Sequence, residues 1–145
     1  MLRRILFLSQ ARTQAMRPSR KAALISITDA DALPARLPEG WVALHREACD
    51  DIDLEDHTLD DFSLDDDEYV PLSTAQATAI AAFVDTIDQR CTCLVVHCRF
   101  GQSRSAAIAK AVCKARGLSF PRNYELPNPF VYRVMCRALG VGDEG

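Results

Sequence analysis

The chain has 145 residues, of which 48% are apolar and 26% charged, with a formal net charge of -3. That is long enough to bury a core without metal or disulfide staples and ordinary for a globular protein. The mildly acidic balance gives no reason to expect a nucleic-acid partner. Arg3, Arg4, Arg12, Arg17, Arg20 and Lys21 make the first stretch basic, while Glu47 to Glu68 is densely acidic. Both read first as solvated surface.

In chain order, Arg3 and Arg4 precede the apolar run Ile5 to Leu8. The run is too short for an export segment and no small-residue cleavage site follows, so Arg4–Leu8 reads as a first buried strand. Further strand-like runs follow at Ala22–Ile27 and Trp41–Ala48. Asp50 to Tyr69 reads as a long acidic loop, a poor core element of the kind that often carries function. Ser73-Thr74-Ala75-Gln76 is a capping-box pattern, and Ile80, Phe83, Val84 and Ile87 continue it at helical spacing. Thr92–His97 contains Leu94-Val95-Val96, the continuous apolar character of a strand covered on both faces. A helix is expected from near Ser103 to Gly117, with Ile108 and Val112 inward and Gly117 as a left-handed cap. A last one has Asn128 as cap and Pro129 first, with Phe130, Val131, Val134, Met135 and Leu139 on its buried side.

Strands alternating with helices predict an α/β domain over residues 1–145, three-layer-like, with a central, mainly parallel sheet flanked by helices. No stretch approaches a membrane span, so the expected location is the cytoplasm, without membrane association. Six cysteines stand at 49, 91, 93, 98, 113 and 136, with no CxxC pair. Buried free thiols are the expectation, and neither a metal nor another cofactor is implied. Cys98 is the exception.

The informative segment is His97-Cys98-Arg99-Phe100-Gly101-Gln102-Ser103-Arg104-Ser105, between a buried strand and a helix start. A loop of this length, with Gly101 to permit tight turning, can curl its N–H groups inward. Together with a helix N-terminus they form a cradle for a dianion. Arg104 adds a planar fork at the lip that can hold two phosphate oxygens. Cys98 then sits at the floor, with its pKa lowered by the same groups, as a nucleophile in line behind a bound phosphorus. Arg99, Phe100, Gly101, Gln102, Ser103 and Arg104 are accordingly the candidate substrate-binding residues, and the loop would stabilise transition-state charge on the equatorial oxygens.

The string resembles the HCx5R signature of the cysteine-dependent protein tyrosine phosphatase superfamily, matching at His97, Cys98, Gly101, Arg104 and Ser105. Ser103-Arg104-Ser105 is most similar to the dual-specificity branch. The resemblance implies a phosphotyrosine-phosphatase-like fold. It also implies Cys98 as nucleophile, Arg104 as phosphate ligand, Ser105 as a hydroxyl easing thiolate departure, and His97 as an organiser of the loop. The implied substrate is a phosphorylated protein or a small phosphoester, in a site shallow enough for phosphoserine, phosphothreonine or phosphotyrosine. Strong similarity covers about a tenth of the chain.

The reaction needs a proton for the leaving oxygen and later a base for water, and one carboxylic acid can do both. In the resembling family this is an aspartate on a loop upstream of the nucleophile. Asp50, Asp51, Asp53, Asp56, Asp60, Asp61, Asp65, Asp66 and Asp67 all qualify by position. Asp51 is favoured, because Asp50 and Asp51 follow a predicted strand directly, similar to the Asp-Asp pair of some compact dual-specificity members. Counting back from Cys98 by the family's usual spacing reaches Asp65 to Asp67 instead. Cys49, beside that pair, could approach Cys98 and trap it as a disulfide, although a buried inert thiol is the plainer reading. A phosphate-binding module without a competent acid, and a thiolate-based sulfurtransferase or arsenate reductase, are the alternatives.

Overall fold

A computed structural model describes residues 1–54 and 69–144. The strands are β1 (Arg4–Ser9), β2 (Ala22–Thr28), β3 (Ala43–Ala48) and β4 (Cys93–Cys98). They form one sheet in the order β1-β4-β2-β3, and every neighbouring pair is parallel. The helices are α1 (Gln10–Ala15), α2 (Thr74–Ile87), α3 (Arg104–Arg116) and α4 (Pro129–Leu139). The expected α/β class is present, with a sheet that is parallel throughout rather than mainly so.

Period-two alternation explains how the sheet is covered. Ile25, Ile27, Leu94 and Val96 face one side and join Ile80, Val84, Ile108, Val112, Val131 and Met135 from α2, α3 and α4 in one core. Leu24 and Val95 alternate to the other side and are buried as well. The two central strands are thus covered on both faces, as their continuous apolar runs require. Among the described residues no helix is long and apolar enough to cross a membrane.

Several boundaries differ from the sequence reading. Gln10–Ala15 is a helix that no apolar period announces, since Thr13 is its one buried residue. It is started by the Ser9 hydroxyl, which accepts a hydrogen bond from Arg12 N–H at 3.2 Å. The strand expected from Trp41 begins only at Ala43. In α4 the fully buried side is Val131, Tyr132, Met135 and Cys136. Phe130, Val134 and Leu139 pack at its margins, partly buried. The capping box of α2 is complete, with Ser73 and Gln76 exchanging bonds at 3.0 Å in both directions.

In a parallel sheet all strands end at the same edge, and open α/β sheets bind ligands outside that edge. Here it gathers Ser9, Thr28 and Asp29, Ala48 and Cys49, and Cys98. That edge holds the candidate site.

Candidate active site

β4 delivers Cys98 to the sheet edge, and α3 begins six residues later at Arg104. Between them the chain folds back on itself. Gly101 has φ +71, and a Cβ added there would lie 2.3 Å from the backbone of Leu8 and Ser9. Only glycine fits both the left-handed conformation and the close approach to β1.

The loop's carbonyls are tied to its outside. Arg99 C=O accepts from Gln10 N–H at 3.3 Å, and Gln102 C=O accepts from the Tyr124 hydroxyl at 2.5 Å. Ser103 C=O accepts from Asn128 N–H at 3.1 Å and Ala107 N–H at 3.0 Å. In a planar trans peptide the N–H points opposite to its C=O. The amides of Phe100, Ser103 and Arg104 are therefore turned away from these anchors. Gly101 and Ser105 donate their N–H groups toward the Cys98 sulfur. Two amides of the segment thus converge on the sulfur.

Cys98 is 2% exposed. Burial pushes its thiol up, but Ser105 hydroxyl and N–H, the Arg104 guanidinium and Gly101 N–H outweigh it and hold the pKa below the ordinary thiol value. Ser105 Oγ lies 3.1 Å from Sγ. Once the thiol has ionised, sulfur can only accept, so the hydroxyl is the donor. His97 is fully buried beneath the loop, with Nε2 2.6 Å from Ser26 Oγ and Nδ1 3.4 Å from Cys98 C=O. A carbonyl can only accept, which assigns the proton to Nδ1 and makes Ser26 the donor to Nε2. Burial, with Arg46 and Arg104 nearby, lowers the His97 pKa against that backbone bond.

Arg104, expected at the lip of the loop, has its side chain drawn into the protein at the start of α3. Its residue is 3% exposed. Nη1 donates to Cys49 C=O at 2.6 Å and pairs with Asp29 Oδ1 at 2.8 Å, while Nε is buried without a partner. Arg99 and Phe100, by contrast, carry their side chains outward, with the guanidinium 5.1 Å from the ring centroid. Beside them a cleft of about 680 Å³ opens between α1, the turn after β2 and the loop. Gln102 is exposed and Ser103 turns its hydroxyl away from capping α3.

No protein-family model, curated protein or solved structure matches this chain.

Ser103 instead donates its hydroxyl to Asp51 Oδ1 at 2.8 Å, and Asn128 Nδ2 donates to the same oxygen at 2.8 Å. Asp51 is thereby brought to the rim of the loop. Asp50 is engaged elsewhere: Oδ1 accepts from Ala30 N–H at 3.0 Å and Oδ2 from Val70 N–H at 2.8 Å, which pins the segment after β3. Asp56, Asp60, Asp61, Asp65, Asp66 and Asp67 lie outside the described residues. Cys49 and Cys98 are both free thiols. Burial, against the pull of Arg104, pushes Cys49 up to about 12, which leaves it a poor thiolate near neutral pH.

Sequence reasoning missed Asp29 and the second role of Asn128. The signal for Asp29 was available, since it directly follows an apolar strand run, as Asp50 and Asp51 do. For Asn128 the capping role hid the other. Its Oδ1 caps α4 through Val131 N–H at 3.0 Å, while Nδ2 reaches Asp51 and, at 2.9 Å, Ile52 C=O.

Proposed function

We propose that this protein is a phosphomonoester hydrolase working through a cysteinyl-phosphate intermediate, of the protein tyrosine or dual-specificity phosphatase type. One observation carries the reading. A sulfur with lowered pKa lies under inward-turned amides, beside a buried guanidinium whose Nε has no protein partner. A buried charged donor left unpaired is costly, and an oxyanion in the loop would satisfy it. The placement at the N-terminus of a thirteen-residue helix favours the same occupant.

In the first step the Cys98 thiolate attacks phosphorus, an S–P bond forms and the P–O bond to the leaving group breaks. Asp51 gives that oxygen its proton. In the second step Asp51 takes a proton from water, whose oxygen attacks phosphorus and expels Cys98 as thiolate. Ser105 stabilises the departing sulfur through its hydroxyl. The amides and Arg104 hold the equatorial oxygens throughout, where charge spreads in the transition state. The parallel α/β sheet, with the loop between its central strand and a helix, is consistent with a phosphotyrosine-phosphatase-like fold. The adjoining cleft has room for a substrate larger than phosphate itself.

Purified protein should hydrolyse p-nitrophenyl phosphate. Cys98→Ser should abolish turnover yet keep phosphate or vanadate binding. Asp51→Asn should slow poor leaving groups more than p-nitrophenolate. Turnover that survives Cys98→Ser would end this reading. Oxyanion binding with no turnover in the native chain would favour a binding module.

A further inference from the structure

The geometry points to Asp29 as the residue that positions Arg104 for an oxyanion, a role that rests on the loop being an oxyanion site as read above. Asp29 follows the last residue of β2 and comes from a different part of the chain from the signature loop. Its Oδ1 lies 2.8 Å from Arg104 Nη1 and its Oδ2 lies 3.6 Å from Arg99 Nη1. One carboxylate thus spans the buried arginine and the exposed one at the other end of the loop.

The hydrogen-bond inventory of Arg104 makes the placement consequential. Nη1 carries two protons, and its two acceptors, Cys49 C=O and Asp29 Oδ1, account for both. Fixing one terminal nitrogen between two rigid strand ends fixes the plane of the whole guanidinium. Nε is left pointing at no protein group while fully buried. A planar donor pair binds two oxygens only when its plane is aimed correctly, and a small misplacement forfeits much of the benefit.

Asp29 is itself held. The backbone turns after it, with Ala32 N–H donating to Asp29 C=O at 3.1 Å. The next residue, Ala30, donates its N–H to Asp50 Oδ1 at 3.0 Å. Asp50, the partner of the candidate acid in sequence, therefore braces the turn that carries Asp29. The end of β3 supplies the acid through Asp51 and, through Asp50, supports the element that aims the arginine.

The test compares alkylation of Cys98 by iodoacetate and by iodoacetamide at one pH. Both need the thiolate, but only iodoacetate carries an anion for Arg104 to attract, so the rate ratio reports the guanidinium and cancels changes in thiol ionisation. Asp29→Ala should lower that ratio by about tenfold. In an Arg104→Ala background Asp29→Ala should change it less than about twofold, the non-additivity of residues acting as one unit. Asp29→Asn keeps the volume and one acceptor oxygen, and should give an intermediate ratio; it carries the test if the alanine variant does not fold. A ratio unchanged by either Asp29 variant, or lowered equally with and without Arg104, overturns the inference. The readout does not require turnover. A native protein without phosphatase activity but with the coupled ratio would remove the catalytic reading and keep Asp29. An active protein with an insensitive ratio would do the reverse.

Discussion

Ser105 illustrates how much one hydroxyl is asked to do. It sits fully buried 3.1 Å from the Cys98 sulfur, and its side chain is the strongest of the groups that lower the thiol's pKa against burial. Ser105→Ala removes that donor without creating a large cavity. The pH midpoint of Cys98 alkylation should then rise toward the ordinary thiol value. Expulsion of sulfur in the second step should slow by about tenfold to a hundredfold, giving a burst of p-nitrophenol before a slow steady state. A midpoint that stays in place would show that the backbone amides and Arg104 set the ionisation alone. Two glycines make a matching comparison. Gly101 and Gly117 both have φ near +70, but a Cβ at Gly101 meets the β1 backbone at 2.3 Å, whereas Gly117 has nothing within 4 Å. Gly117→Ala should cost about 1 kcal/mol in thermal or urea unfolding and leave activity intact. Gly101→Ala should abolish activity and cost more stability, because either the loop or the end of β1 must move. Equal effects from the two substitutions would mean that the loop is not wedged against β1.

At the scale of elements, one side chain, Asn128, links α4 to the segment after β3. Asn128 caps the helix with its oxygen and holds Asp51 and Ile52 with its nitrogen. Serine is as good a cap but has no amide donor to reach Asp51. Asn128→Ser should therefore keep α4 folded, with a stability loss of about 1–2 kcal/mol from the bonds given up. Its kcat should fall more for phenyl phosphate than for p-nitrophenyl phosphate, since the poorer leaving group depends on a placed proton. If both substrates slow equally, Asn128 does not position the acid. This junction also marks where the sequence stopped being readable. The cap announced itself, because Asn-Pro before an apolar period has a local cause. The reach to Asp51 did not, because it joins residues 77 apart in the chain. The short α1 escaped for a related reason: six residues with one buried position leave no period to detect. In α4 Val131 and Met135 are fully buried as expected, but Tyr132 and Cys136 are buried beside them while Phe130, Val134 and Leu139 are only partly so, since packing against α2 and α3 chooses among neighbouring faces of the helix.

The whole molecule decides which thiols ionise. Cys98, with its lowered pKa, lies at the sheet edge where a helix N-terminus, amides and Arg104 converge. Cys49 is pushed to about 12 and Cys113 to about 11, in both cases chiefly by burial. Cys91, Cys93 and Cys136 are also raised, again chiefly by burial. That contrast was legible for Cys98 from its loop, while the others were expected buried but not ranked, because depth depends on the assembled core; Cys49, Cys91, Cys113 and Cys136 are buried, whereas Cys93 is only partly so. Native protein treated with iodoacetamide near neutral pH should be labelled at Cys98 alone, and vanadate should protect it; peptide mapping that finds Cys49 or Cys113 labelled first would contradict the arrangement. The same contrast fixes the pH dependence of stability. Keeping Cys49 and Cys113 neutral contributes stability that is complete below the ordinary thiol pKa of roughly 8.5. It is lost as pH rises from there through 11 to 12, since the unfolded chain then releases protons that the native core retains. Cys98 acts in the opposite sense: its contribution is present above the ordinary thiol value and is lost as pH falls through its lowered one. Urea midpoints measured from pH 6 to 11 should fall on the alkaline side. Cys98→Ser should leave that alkaline fall in place and remove the rise in stability with pH that Cys98 contributes below the ordinary thiol value, and a variant that keeps the full rise would mean that Cys98 does not ionise ahead of its five companions.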